Sequence, residues 1–197
     1  MSRNAEAPDS PRATPSKPTS TAKVSRDHHL LDRGLAGTPP GEAPVRHSEY
    51  VPERPARHTD WPGWADPAVV EALRERGTES PWQHQAEGAE HVAAGRNVIM
   101  STGTASGKSL AYQLPVLSTL RTEGKATALY LAPTKALGAD QLRTIDALDL
   151  DVRAATYDGD TPKAERDWVR KHGRWIFTNP DMLHHGVLSN HRSWASM

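Results

Sequence analysis

Ser101–Pro115 reads STGTASGKSLAYQLP. Its glycine-rich half closes on Gly107-Lys108-Ser109, the ending expected of a loop that wraps phosphate. Glycine lets the backbone approach closely, the lysine reaches the β- and γ-phosphates, and the serine hydroxyl ligates Mg2+. The usual pattern places a glycine five residues before Gly107, and this chain has Thr102 there. The stretch is either a nucleotide site with an altered loop or a polar turn containing a chance Gly-Lys-Ser. Its surroundings decide between them.

Before it comes NVIM (Asn97–Met100), a short apolar run of strand type, and after it SLAYQLPVLSTL, a helical pattern with a kink expected at Pro115. Strand, loop, helix is the context a phosphate loop requires, and the free N–H groups and positive dipole end of the following helix add to anion binding. The nucleotide reading prevails. Thr102, Gly103, Thr104, Ala105, Ser106, Gly107, Lys108 and Ser109 are the candidate ATP-binding residues, with Ser109 also the candidate Mg2+ ligand.

The alternation then repeats. TALYLA (127–132), VRAAT (152–156) and WIFT (175–178) read as buried strands, separated by helices through Lys135–Leu148 and Lys163–Lys171, and Asn179-Pro180 opens a further helix. Four strands alternating with helices predict an α/β domain with a mostly parallel sheet around a phosphate loop. Ligands on such sheets bind beyond the carboxyl ends of the strands, where the glycine-rich stretch lies. Upstream, WADPAVVEALRERG predicts a helix with Asp66 as N-cap, Pro67 in its first turn, Val69, Val70 and Leu73 on one face, and Gly77 as its stop. A second helix is expected from about Pro81 to Ala94, stopped by Gly95.

Residues 1–58 have another character. Nine of the 16 prolines precede Asp60, with Tyr50 the sole aromatic there, while all 6 tryptophans follow it. A segment so poor in apolar residues cannot offset its ordering entropy, so a disordered Pro-rich tail is expected over 1–58 and one folded domain over 59–197. The formal net charge is +0, so attraction to nucleic acid has to come from a local patch. The chain has no cysteine, which excludes disulfides, thiol catalysis and Cys-based zinc sites within it. There is no apolar leader at the start and no apolar run long enough for a membrane span, so a cytoplasmic location is expected.

Further segments fall in order around the loop. SPWQHQAEGAE precedes it, and LAPTKALGADQ, TYDGDTP and TNPDMLH follow. Together with TGTASGKS they resemble superfamily 2 DEAD/DEAH-box DNA helicases, in particular the YprA/MrfA-type repair helicases, over about Trp61 to the end. That group commonly relaxes the first glycine of the loop, as Thr102 does. The resemblance implies that Gln85 pairs with adenine, an amide being able to bond N6 and N7 at once. It implies that Thr134, Lys135, Gly159, Asp160, Thr178 and Asn179 face the phosphate backbone of a tracked strand, single-stranded DNA above all. Such contacts are salt-dependent and read little sequence. Taken singly, the PTK, DGD and NPD segments are ordinary turns and helix starts.

One departure matters. The family's Asp-Glu motif, which holds Mg2+ and positions the attacking water, is expected some twenty to thirty residues after TNPDMLH and is absent from this sequence. The expectation is a helicase fragment, its first RecA-like domain incomplete, that binds ATP without turning it over and folds poorly alone. A sharp two-state thermal melt would oppose the last point. The rivals are a stand-alone nucleotide- or nucleic-acid-binding module and an RNA helicase fragment. Three histidines, His184, His185 and His191, make no plausible metal set. Trp168 and Trp175 are expected in the core, and Trp82 either beside the adenine or in the core.

Overall fold

Asp66 opens the first helix of the folded part by accepting hydrogen bonds on Oδ1 from the N–H groups of Ala68 (2.9 Å) and Val69 (3.2 Å). The computed structural model in which this is seen describes residues 33, 35–39, 45, 47, 55–103 and 105–194. The chain divides into two units, Met1–Glu53 and Arg54–Met197. Of the first, only a turn closed by Thr38 N–H on the Leu35 carbonyl (3.0 Å) is described. The expected disorder of the tail lies largely outside the described residues. Among the described residues of the second unit, Gln83 N–H donates to the Arg57 carbonyl (2.8 Å) and Thr59 N–H to that of Pro81 (3.0 Å), which ties the segment around the expected boundary to the start of the second helix.

Helix α1 (Pro67–Glu75) has Pro at its first turn and buries Val69, Val70, Ala72 and Leu73. Gly77, at φ +88°, turns the chain away. Helix α2 (Gln83–Ala93) ends before Gly95, at φ +71°. Helix α3 (Ser109–Thr122) runs on through Pro115. It packs closely on α2: a Cβ added at Gly88 would lie 3.0 Å from that of Ala111. Then follow β1 (Ala128–Leu131), α4 (Lys135–Asp146), β2 (Ala154–Thr156), α5 (Lys163–His172), β3 (Trp175–Thr178) and the short α6 (Pro180–Met182), which continues as a π-helical turn (Leu183–Val187) and a 3-10 segment (Leu188–Trp194).

The sheet has the order β1-β3-β2, all parallel, with Leu129 opposite Ile176 and Ala155 opposite Ile176 on the other side. Central β3 is buried at all four positions. Its alternation serves two cores. Trp175 and Phe177 join Leu114 and Leu117 of α3 in one, and Ile176 joins Tyr157, Val169 and Trp194 in the other. Mixed α/β architecture with a parallel sheet is as expected. No helix among the described residues is long and apolar enough to cross a membrane.

Two expectations need correction. Asn97–Met100 is not a strand of this sheet. It keeps the strand's alternation, with Val98 and Met100 half-buried and Asn97 and Ile99 outward, but has no ladder partner among the described residues. Ile99 is 96% exposed. An apolar run predicts a strand only if a neighbour exchanges hydrogen bonds with it, and β1, β2 and β3 bond one another instead. The other correction is Trp168. It is 46% exposed, with its ring 5.7 Å from that of His172. Adjacent Val169 takes the buried position on α5, and one residue turns a helical side chain about 100° away. Trp175 is in the core as expected.

Candidate phosphate-binding site and the adjoining loops

The loop Ser101–Ser109 hangs from the start of α3, with Lys108 as N-cap and Ser109 as first helical residue. Among its described residues two have left-handed backbone, Ala105 at φ +58° and Gly107 at φ +65°. Ala105 carries a Cβ in that conformation at a cost of roughly 1–2 kcal/mol, strain that a glycine would not have. A Cβ at Gly107 would lie 2.3 Å from Gln85 Nε2, so a side chain there would displace the Gln85 amide as well as strain the backbone. The Lys108 ammonium folds back over the loop and donates to the carbonyls of Thr102 (3.0 Å) and Gly103 (2.7 Å) and to Ser106 Oγ (3.5 Å). Hydroxyls of Thr102 and Ser106 are 2.6 Å apart. Thr104 lies outside the described residues.

Gln85 is buried at the base of this loop. Its Oε1 accepts from Trp82 N–H (2.8 Å) and its Nε2 donates to the Gly107 carbonyl (2.9 Å), so both ends of the amide expected to read adenine are engaged within the chain. Next to it, His84 Nε2 is 2.9 Å from the Ser106 carbonyl. A cleft of about 400 Å³ opens between the 77–80 turn and the loop, lined by His58, Ser80, Trp82, Gln85, Ala105 and Gly107 among others. Trp82, one of the lining residues, is 36% exposed, its ring 5.6 Å from that of His84. A second cleft, about 490 Å³, lies on the other side of Gly107 between α1, α3 and α4.

The remaining candidates gather at the carboxyl ends of the three strands, where the parallel order sends every following loop to one edge. After β1, Thr134 caps α4 by accepting from Leu137 N–H (3.3 Å). After β2, the Asp158 carboxylate accepts from the N–H groups of Asp160 and Thr161 and sets the turn that holds Gly159. Lys135 and Asp160 meet each other, Nζ to Oδ2 at 2.6 Å, and this bond raises the Lys135 pKa above its usual value. After β3, Asn179 caps α6 through Met182 N–H (2.8 Å). Thr178 is buried, its hydroxyl donating to the Tyr157 carbonyl (2.5 Å), so it braces the loop from below and offers no free surface.

Sequence reasoning passed over three residues that shape the phosphate loop and this edge. Arg166 lies over the Tyr157 ring, 5.9 Å from its centroid, and donates to the carbonyls of Asp158 (3.0 Å) and Gly159 (2.8 Å). Tyr112 of α3 donates to Gln141 of α4 (2.6 Å), tying the helix after the phosphate loop to the helix after β1. Burial pushes the Tyr112 phenol well above its usual pKa. His84 is the third, and its place inside SPWQHQAEGAE, beside Gln85, was the available signal.

The model of the DEAD/DEAH box helicase family matches residues 82–196. The chain is 40% identical over 161 residues to the uncharacterized ATP-dependent helicase YprA of Bacillus subtilis, covering 80% of this chain and 22% of that protein. It is 37% identical over 156 residues to the ATP-dependent helicase HRQ1 of Saccharomyces cerevisiae, covering 76% and 14%. Among solved structures, the DUF1998 helicase MrfA bound to DNA and AMPPNP superposes with a TM-score of 0.69 at 41% identity, over 73% of this chain and 21% of that one. A DEAD box protein from Methanococcus jannaschii, TM-score 0.55 at 20% identity, shares the fold, which is the RecA-like helicase fold. The chain thus spans between a seventh and a quarter of the length of these curated relatives.

Proposed function

Since this chain belongs to the DEAD/DEAH box helicase family, we propose that it is the ATP-binding first part of a DNA helicase or translocase that moves along single-stranded DNA, serving DNA repair. One observation carries the nucleotide half of this reading. The Lys108 ammonium is met by three neutral oxygens and, among the described residues, by no carboxylate. An ammonium so placed, over a loop with left-handed backbone at Gly107 and at the start of a helix, suits the oxygens of a phosphate chain better than the carbonyls it now meets. The residues therefore fit ATP. Thr102–Ser109 would wrap the phosphates, Ser109 would hold Mg2+, and the cleft beside Gln85 and Trp82 would take the base. ATP, when bound, supplies the phosphoryl group whose transfer drives movement.

For the strand, the support is the common edge formed by the loops after β1, β2 and β3. Lys135 supplies a cation there, and Gly159 and Asn179 lie in the two neighbouring turns. Contacts of this kind position a backbone and leave bases unread. The related MrfA is bound to DNA in its solved structure, which favours DNA over RNA as the track here.

Titration of the chain with ADP, alongside Lys108→Ala, tests the reading. Without the charge-assisted hydrogen bonds of the ammonium, binding should weaken about 10- to 100-fold. Equal affinities for the two proteins would overturn the nucleotide site, and a wild-type preference for RNA over DNA single strands would overturn the choice of track.

A further inference from the structure

Two neighbouring side chains of α2 grip two neighbouring carbonyls of the phosphate loop. His84 Nε2 lies 2.9 Å from the Ser106 carbonyl oxygen, and Gln85 Nε2 lies 2.9 Å from that of Gly107. A carbonyl oxygen only accepts, so the His84 nitrogen facing it must carry the proton, which fixes the Nε2–H form of the ring. The chain has no cis peptide bond among the described residues. In a trans peptide the C=O and the following N–H point to opposite sides. Fastening the Ser106 carbonyl toward α2 therefore turns the Gly107 N–H away from α2, and fastening the Gly107 carbonyl does the same for the Lys108 N–H. The backbone changes hand between these residues, from φ +65° at Gly107 to φ −48° at Lys108. Successive amides across such a change form a concave anion-binding nest.

We propose that His84 is a positioning residue for the phosphate loop: from behind, its Nε2–H holds the Ser106 carbonyl so that the Gly107 amide faces the phosphate chain. The inference rests on the nucleotide reading above. It adds a residue to the machinery, since Gln85 sets only one of the two peptide planes. The half-buried ring lies beside Trp82, 5.6 Å between ring centroids, and is not among the residues that line the cleft.

The effect should depend on phosphate. With the chain, ADP and adenosine are titrated into wild type, His84→Ala and His84→Gln, with Lys108→Ala beside them. His84→Ala is expected to weaken ADP about five- to tenfold, the equivalent of one neutral hydrogen bond, and to leave adenosine unchanged. His84→Gln, which restores an N–H donor, should recover most of the ADP affinity. Unchanged ADP affinity in His84→Ala, an equal loss for adenosine, or a His84→Gln variant as weak as His84→Ala would each overturn the proposal. If Lys108→Ala also binds ADP as wild type does, the nucleotide reading itself falls. If Lys108→Ala loses ADP and His84→Ala does not, only the role of His84 falls. An independent measurement needs no variant: 15N NMR of the histidine rings in the ligand-free chain at about pH 8, where an imidazole is neutral, should show His84 protonated at Nε2. Protonation at Nδ1 would overturn the proposal.

Discussion

A single carboxylate shows how far local chemistry reaches in this chain. Asp66 caps α1, accepts from Arg121 of α3 (3.1 Å), and its own N–H donates to Ser118 Oγ (3.0 Å). Burial pushes its pKa up, but the Val69 N–H, the Arg121 guanidinium and the Ala68 N–H together pull it below the usual value. A carboxylate with a lowered folded pKa contributes stability that is present above its unfolded pKa, near 3.8, and lost as the pH falls through the folded value. Asp66→Ala should therefore lower unfolding free energy by about 0.5–2 kcal/mol at neutral pH, with the difference from wild type shrinking below about pH 4. Denaturant melts at the two pH values check this, and a difference that persisted in acid would show that the cap acts without its charge. The cap was legible because Asp-Pro before an apolar face has one ready meaning. The Arg121 contact was not, since nothing in the sequence tells which of 17 arginines crosses 55 residues to meet it.

Among elements, the strand with a partner on both sides and the helix before it came out nearly as read. WIFT is the strand Trp175–Thr178 residue for residue, and α5 differs from its expected span by one residue. Segments with one strand partner or none did not. VRAAT shortened to Ala154–Thr156, and Asn97–Met100 found no ladder at all among the described residues. Backbone amides that lack a ladder exchange with solvent through small local openings, whereas those of a central strand wait for larger ones. Hydrogen exchange should find Asn97–Met100 on the order of 100-fold faster than Ile176 and Phe177. Equal protection would mean that this segment is paired in solution. The tryptophans carry the same lesson: Trp168 and Trp175 are alike as apolar aromatics, and only the packing of α5 and β3 sends one outward and the other in.

On the scale of the whole molecule, one sheet edge joins the phosphate loop's helix to three loops that lie far apart in sequence. The bond between Lys135 and Asp160 crosses 25 residues, and that between Tyr112 and Gln141 crosses 29. With a formal net charge of +0, attraction to a strand would rest on local cations, and Lys135 and Arg166 both stand at this edge. Lys135→Ala should weaken single-stranded DNA binding to a similar degree for all sequences and reduce the salt slope by about one. Binding measured at several salt concentrations decides it, and an unchanged slope would place the strand elsewhere.

The sequence by itself determined the class of the molecule. The order of strand-like and helical patterns, the Gly107-Lys108-Ser109 ending and the flanking segments are local or linear properties, and they survive without knowledge of the fold. Only the tertiary structure decided what the site residues do before any ligand arrives: that Gln85 spends both ends of its amide on the chain, that Lys135 and Asp160 hold each other, that Thr178 is buried, and that His84 grips the loop from behind. The reason is physical. A hydrogen bond requires two groups within about 3 Å in a fixed direction; apart from the local Trp82–Gln85 bond in the first turn of α2, the partners here stand 21 to 25 residues apart, so the fold alone brings them to that distance.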